Sequence, residues 1–292
     1  MGDFEVDTRV EGSDGKYHAA LSEDWRVWGP NGGYVAAIAL RAAGMEARLK
    51  RPASFSGHFL RVGNFHEVQL EVTPVHSGRR AESIHVTMRQ DNRPIFQAVI
   101  RTAAKDEGLE HDFSQMPEVP EPEGLKTYAE LFPDDSGPPY PFWNNVETRI
   151  IDLDRALEGL PRKPYPPVWR EWYRFVPTAT FDDPFVDAGR ALLLMDTMAW
   201  PAAAQPHPDA KFQARNLDVT CWFHQPGHDS EWLLVDYECQ IAKDALMNAT
   251  GRVWSHDGRL LATGGAQLLC VPIGAGVPPP APALDRQTEH SD

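Results

Sequence analysis

Two long apolar stretches with the composition of helices are each followed by four strand-like runs, and they occupy residues 32–49 and 187–204. Both stretches are dense in Ala and Leu, which favour helix. Matching residues in the strand-like runs that follow have nearly equal spacing in the two halves. Phe59 precedes Asn92 by 33 positions, and Phe223 precedes Asp257 by 34. Matching features thus recur after 164 to 165 residues, a period well beyond that of solenoid repeats. The sequence predicts one fold that is present twice.

The runs behind each helix alternate apolar and polar residues. Apolar positions are Val68, Leu70, Val72, Ile84, Val86 and Met88 in the first half, and Leu233, Val235, Tyr237, Cys239 and Ile241 in the second. A period of two is typical of a sheet with one covered face. A helix that is apolar almost all round needs cover on nearly every side, which a curved antiparallel sheet provides. We therefore predict an α+β fold of two tandem hotdog domains. A Rossmann-type fold is less favoured because strands do not alternate with helices.

The segment between the halves is rich in Pro, Gly and acidic residues and is predicted to be a long connection. The end of the chain has a similar composition and is predicted to be a disordered tail. Strand-like sequence also precedes the helices at 4–11, 17–25, 143–152 and 169–177. The expected units are an N-terminal hotdog domain (1–105), a Pro-rich acidic linker (106–141), a C-terminal hotdog domain (142–273) and the tail (274–292).

The composition disfavours several classes of partner. The 28 Lys and Arg residues against 42 Asp and Glu residues give a net charge of −14, so neither nucleic acid nor an anionic membrane surface is an expected partner. No apolar stretch approaches the roughly 18 residues of a membrane-spanning helix, and the acidic start is unlike a secretory signal peptide. The widely spaced Cys221, Cys239 and Cys270 indicate reduced structural thiols, so a cytoplasmic location is expected.

One acidic residue lies where a carboxylate is costly. Asp196 and its neighbour Thr197 interrupt the otherwise apolar run 192–200. A buried carboxylate must be hydrogen-bonded or face a solvated cavity. Asp196 is therefore either a structural residue that caps a turn or pairs with Arg190, or a general base that faces a ligand tunnel. GxSxG, P-loop, GxGxxG, HExxH and CxxC motifs are absent, and neither a cofactor nor a metal is expected.

Other polar residues in apolar strands are candidates with ordinary structural alternatives. Gln267 follows two glycines that would permit close backbone approach. Asn216 is most simply a strand-entry residue. His58 and His224 occupy similar places in the two halves, and each is either a base or a half-buried side chain between aromatic residues.

Several longer stretches resemble a known family. They are LLLMDTMAWPAAAQPHP, NLDVTCWFHQP, EWLLVDYECQ and DGRLLATGGAQ in the second half, and VWGPNGGYVAAIALRAA, SFSGHFLRVG and RRAESIHVTMRQDNRPIFQAVI in the first. The chain resembles the acyl-CoA thioesterase II (TesB-like) family of double-hotdog thioester hydrolases. In that family an Asp, a hydroxyl residue and a Gln orient a water molecule.

The resemblance implies roles for individual residues. Asp196 matches the Asp, Gln267 the Gln, and Asn216 the hydroxyl position, where an amide is a departure. Thr220, further along the same strand, is a possible replacement hydroxyl. The substrate-binding residues expected are His58, Thr220 and the Asn31-Gly32-Gly33 segment, whose main-chain N–H groups would serve the oxyanion.

The predicted function is hydrolysis of an acyl-CoA thioester to free acid and CoA by water that a buried carboxylate activates. Two alternatives stay open: a hotdog protein that binds acyl-CoA without turnover, and an enoyl-thioester hydratase, which would need a paired His and carboxylate. Further pairing of chains into a homo-oligomer is possible. The acyl chain length is not predicted.

Overall fold

The computed structural model describes residues 1–127, 130, 140–151 and 164–273. The predicted tail and parts of the predicted linker lie outside these residues. The described chain folds as one large antiparallel sheet that covers a pair of central helices. None of its helices is both long enough and apolar enough to span a membrane.

The two predicted central helices are present with shifted ends. The first ends earlier than predicted, at Glu46. The second begins earlier, with Pro184 in its first turn and Asp183 as its N-cap, and it is interrupted at Met198. The strand predicted at 4–11 is wrong at its start, where Asp3 caps a short helix. The helices are α1 (Phe4–Asp7), α2 (Gly32–Glu46), α3 (Pro184–Thr197) and α4 (Ala199–Ala204), with 3-10 turns at Glu23–Trp25, Pro122–Gly124 and Pro141–Asn144.

The strands form a single curved layer in the order β1-β2-β4-β5-β6-β3-β10-β13-β12-β11-β8-β7, and β9 pairs with β13. Every pairing is antiparallel. The strands are β1 (Glu11–Ser13), β2 (Lys16–Ala20), β3 (Pro52–Phe59), β4 (Glu67–Ser77), β5 (Ala81–Gln90), β6 (Arg93–Ala103), β7 (Val146–Ile150), β8 (Val168–Phe175), β9 (Phe212–Asn216), β10 (Asp218–Phe223), β11 (Trp232–Lys243), β12 (Leu246–Ser255) and β13 (Leu260–Pro272).

The two halves meet at β3 and β10, and the register there reflects the duplication. Ser56 pairs with Thr220, which lies 164 positions later in the chain. In an antiparallel pair formed about a pseudo-twofold axis, the residue on the axis meets its own repeat, so this register agrees with the period read from the sequence. The double hotdog fold is confirmed.

Glycines bring the two central helices into close contact. A Cβ at Gly33 would lie 2.6 Å from the main-chain oxygen of Leu193, and one at Gly44 would lie 2.7 Å from the ring of Phe185. Because neither glycine carries a side chain, α2 lies directly against the backbone of α3 at Gly33 and directly against the Phe185 ring at Gly44. This close crossing carries the start of α2 to the last turn of α3.

The predicted alternation holds along most of the sheet. Val68, Leu70 and Val72 face the core, as do Leu233 through Cys239 at alternate positions. Ile241 is an exception and is 62% exposed, because the pairing with β12 shifts register between Glu238 and Ile241.

Part of the predicted linker packs on the outer face of the sheet. Met116, Val119 and Leu125 lie against a buried cluster of Trp172, Trp232, Leu234 and Trp254. The indole N–H of Trp172 donates to the carbonyl of Pro120 at 3.0 Å.

Candidate active site

Asp196 is a buried carboxylate in the last turn of α3 and is only 4% exposed. The anticipated structural partner is engaged elsewhere. The Arg190 guanidinium pairs with Asp187 at 2.5 Å and also donates to the carbonyls of Ala179, Gly227 and Ser230. The alternative in which Asp196 pairs with Arg190 is therefore wrong.

Asn216 is the residue whose side chain hydrogen-bonds to the Asp196 carboxylate. Its Nδ2 donates to Asp196 Oδ1 at 2.6 Å and to the main-chain oxygen of Asp196 at 2.8 Å. The strand register explains why the Asn216 side chain points inward. Asn216 pairs with Leu268, whose side chain lies in the core beneath the helices, and paired residues of neighbouring strands face the same side of the sheet. No described residue donates a hydrogen bond to Asn216 Oδ1, so this oxygen is free to accept one.

The start of α2 meets the other side of the same carboxylate. A Cβ on Gly32 would lie 2.7 Å from Asp196 Oδ2, so only glycine fits there. The main-chain N–H of Gly33 lies close enough to the carboxylate to lower its pKa. Asn31 does not reach Asp196. Its Oδ1 caps α2 by accepting from the N–H of Tyr34 at 2.9 Å, and its Nδ2 donates to Thr197 Oγ1 at 3.0 Å.

Burial raises the pKa of Asp196 to about 6, although the hydrogen bond from Asn216 and the nearby Gly33 N–H lower it in part. A carboxylate with a pKa near 6 is mostly ionised at neutral pH and is still basic enough to accept a proton. The arrangement can therefore perform general base chemistry at the amino end of a helix.

The structure places Gln267 away from this cluster. Ala266 and Leu268, its neighbours on β13, face the core, so Gln267 points to the outer face. There its Nε2 donates to Asn248 Oδ1 at 2.9 Å. A strand residue cannot face the helices when both its neighbours do. The expectation that Gln267 orients water together with Asp196 is not met by its placement.

His58 and Thr220 also lie on the outer face. His58 is exposed and pairs across the strands with Asp218, and Thr220 Oγ1 lies 3.4 Å from Ser56 Oγ. Thr220 therefore cannot supply the missing hydroxyl beside Asp196 without turning its strand over. His224 is exposed, and its Nε2 lies 2.8 Å from Thr263 Oγ1.

Two residues of the site were overlooked in the sequence. Thr197 was noted only as the neighbour of Asp196, yet its hydroxyl joins Asn31 to the carbonyl of Leu193. Ala266 is the inward residue of β13 at the level where Gln267 was expected. Counting by twos from Ala262 through Gly264 would have placed Ala266 inward and Gln267 outward.

Among the described residues, one group has metal-ligand side chains close together, namely Glu121, Glu123 and His256. All three are exposed, and His256 Nε2 lies 2.7 Å from Glu121 Oε2 as an ordinary surface pair. Exposed acidic groups commonly occur without an ion, and we assign no metal to this one.

Comparisons with known proteins bear on the family. The family described as "Acyl-CoA thioesterase N-terminal domain" matches residues 21–103, and "Acyl-CoA thioesterase C-terminal domain" matches residues 115–271. The chain is similar to Acyl-CoA thioesterase 2 of Haemophilus influenzae, with 26% identity over 249 residues that cover 80% of this chain and 84% of that protein.

Solved structures show the same fold. A hot dog fold protein of unknown function from Alicyclobacillus acidocaldarius has a TM-score of 0.79 and 21% identity over 93% of this chain and 98% of that chain. An acyl-CoA thioesterase II, TesB2, from Mycobacterium marinum has a TM-score of 0.75 and 21% identity, with the same coverage of each chain. Since the two family matches together span well over half of the sequence in their expected order, the chain belongs to the acyl-CoA thioesterase family and is a thioester hydrolase.

Proposed function

We propose that the protein hydrolyses acyl-CoA to free acid and CoA, with Asp196 as the general base. The observation that carries this proposal is the meeting of the buried Asp196 carboxylate with Asn216 and the start of α2. A thioester carbonyl is electrophilic enough for direct attack by water, so no covalent nucleophile is required. The pKa of about 6 suits a base that works near neutral pH.

The oxyanion is assigned to the amino end of α2. The N–H groups of its first turn carry partial positive charge, and the Gly32 N–H has no hydrogen-bond partner among the described residues, so this amide is the donor that we assign to the oxyanion. Asn31 accepts from the Tyr34 N–H, and the Gly33 N–H faces Asp196, so the Gly32 N–H is the amide left for substrate.

The step balances with water as the only co-reactant. The water oxygen bonds to the thioester carbon while its proton passes to Asp196, and negative charge gathers on the carbonyl oxygen. The tetrahedral intermediate then collapses, the C–S bond breaks, and the leaving thiolate takes the proton back from Asp196. Asn216 Oδ1 accepts a hydrogen bond from the second O–H of the water while Nδ2 donates to the carboxylate, so the amide takes the place of the family's hydroxyl.

We also propose a cytoplasmic role in lipid metabolism, supported by the net charge of −14 and by free cysteines, two of them buried. The division at 1–105, 106–141, 142–273 and 274–292 stays a proposal and is supported by the separate family matches to the two halves. Association into a homo-oligomer is likewise a proposal, made because hotdog units pair readily.

The test is release of free thiol from an acyl-CoA panel by the wild type and by Asp196→Asn. General base catalysis contributes about 10²–10⁴-fold, so we expect kcat to fall by that range without loss of fold. Turnover like that of the wild type in Asp196→Asn would remove Asp196 as the base.

The same assay separates the alternatives. An acyl-CoA-binding protein would show ligand-induced thermal stabilisation without thiol release. A hydratase would consume crotonyl-CoA without releasing thiol, but no described histidine contacts Asp196, so the described residues around this carboxylate lack the pair that this chemistry needs.

A further inference from the structure

An open cavity of about 570 Å³ lies in the C-terminal half, between α4, β9, β13 and the turn that joins β11 to β12. Its apolar walls are Trp200 and Ala203 of α4, Phe212 of β9, Leu246 and Met247 of β12, and Cys270 of β13. Its rim carries exposed polar residues that include His207 and Lys243. The interior is therefore suited to an apolar group, and the rim to water.

The floor of this cavity adjoins the row of residues that holds Asn216. Asn216 pairs with Leu268, and Leu268 pairs with Met247, so the three form one row across β9, β13 and β12. Leu268 and Met247 are buried in the core beneath the helices. Cys270, the next inward residue on β13, lies about 7 Å beyond Leu268, because each strand residue advances about 3.4 Å.

The roof of the cavity begins at a similar distance from the carboxylate. Trp200 follows Asp196 by four residues, which is about 6 Å along a helical path at 1.5 Å per residue. Both walls thus start about 6–7 Å from the Asp196–Asn216 pair, on the same side of the sheet. Three bonds of an extended chain span about 3.8 Å, so five or six bonds of an acyl chain cover the roughly 6–7 Å from the Asp196–Asn216 pair to the cavity.

We propose that the cavity receives the distal part of the acyl chain, so that it favours acyl groups of about eight carbons or more. This proposal rests on the proposed function, because it takes the thioester carbon to lie at Asp196. Acyl groups of about four carbons end before the cavity and gain nothing from it. The pantetheine arm of CoA is the poorer occupant of the interior, because its two amides would face the apolar walls while the polar side chains lie at the rim.

The test fills the cavity and measures chain-length preference. Ala204, a half-buried alanine of α4 that lines the cavity, is changed to Phe. Ala188→Phe is the matched control, because Ala188 is a half-buried helical alanine that lines a separate cavity of about 150 Å³ at the start of α3. The readout is kcat/KM for acetyl-, butyryl-, hexanoyl-, octanoyl-, decanoyl- and lauroyl-CoA by thiol release.

For the wild type we expect kcat/KM to rise about fourfold with each methylene that enters the cavity, between hexanoyl- and decanoyl-CoA. Ala204→Phe should keep acetyl- and butyryl-CoA turnover within twofold and lose at least tenfold on decanoyl-CoA, while Ala188→Phe follows the wild type. An equal loss on every chain length would assign the cavity to the CoA arm instead, and an unchanged profile would also overturn the proposal. If Ala204→Phe does not fold, Met247→Ala serves, because it enlarges the cavity and should move the preference to longer chains. An absence of thiol release from any acyl-CoA by the wild type would refute the proposed function itself.

Discussion

The side-chain amide of Asn31 joins the two central helices. Its Nδ2 donates to Thr197 Oγ1 at 3.0 Å, while its Oδ1 accepts from the N–H of Tyr34 at 2.9 Å. One residue therefore caps α2 and ties its glycine start to the turn of α3 that carries Asp196.

The first prediction concerns this bridge. Asn31→Ala should destabilise the protein by about 1 kcal/mol through loss of the cap and lower kcat about tenfold or more, because misplacement of catalytic groups is costly. Asn31→Ser restores a capping oxygen but does not reach Thr197, so it should recover stability and not kcat. Urea unfolding and thiol release measure the two effects. Recovery of full kcat in Asn31→Ser would show that Asn31 acts only as a cap.

The second prediction follows from the titration of Asp196. Because the ionised form is the base, kcat/KM should rise with pH through an apparent pKa near 6 and level above about pH 7. The Asn216 hydrogen bond lowers this pKa. Asn216→Ala should therefore raise it and move the limb to higher pH, whereas Asn216→Thr, which keeps a donor, should stay closer to the wild type. If the rise of kcat/KM with pH is not shifted in Asn216→Ala, the titrating group is not the Asp196 carboxylate that Asn216 contacts.

The third prediction distinguishes the family pattern from the observed placement. Because Gln267 lies on the outer face with Asn248, Gln267→Ala should leave kcat/KM within twofold. Asn248→Ala is the paired control, since it removes the same surface hydrogen bond from the other side. A loss of a hundredfold in Gln267→Ala alone would return this residue to the active site.

The fourth prediction concerns stability and uses a second buried carboxylate. Glu171 is 5% exposed and accepts hydrogen bonds from Trp169 Nε1 at 3.0 Å and from the Tyr173 hydroxyl. Burial raises its pKa from 4.5 to about 7, although these donors lower it in part. Between pH 4.5 and 7 the unfolded chain releases this proton and the folded chain retains it, so stability falls as pH rises.

A shift of that size corresponds to about 3 kcal/mol. Urea unfolding between pH 4 and 8 should show that Glu171→Gln is less pH-dependent than the wild type by up to this amount. The exposed Glu123→Gln serves as the control and should follow the wild type. Identical pH profiles for Glu171→Gln and the wild type would contradict the prediction.

The amino-acid sequence alone determined the duplicated architecture and the acidic residue at its centre. Both follow from patterns that act over short distances. Apolar periodicity decides which face of a helix or strand is buried, and Asp196 is conspicuous in such a run whatever its neighbours are. The same reasoning, applied without gaps along β13, would also have turned Gln267 outward, so that error arose from following a family pattern over the strand period.

Tertiary structure alone decided which groups meet Asp196. Asn216 lies 20 positions away in the chain, Gly33 lies in the other half, and Arg190, although in the same helix, turns to Asp187. Such contacts depend on how the helices cross and on the strand register. A one-residue slip in that register would turn the Asn216 side chain to the other face of the sheet.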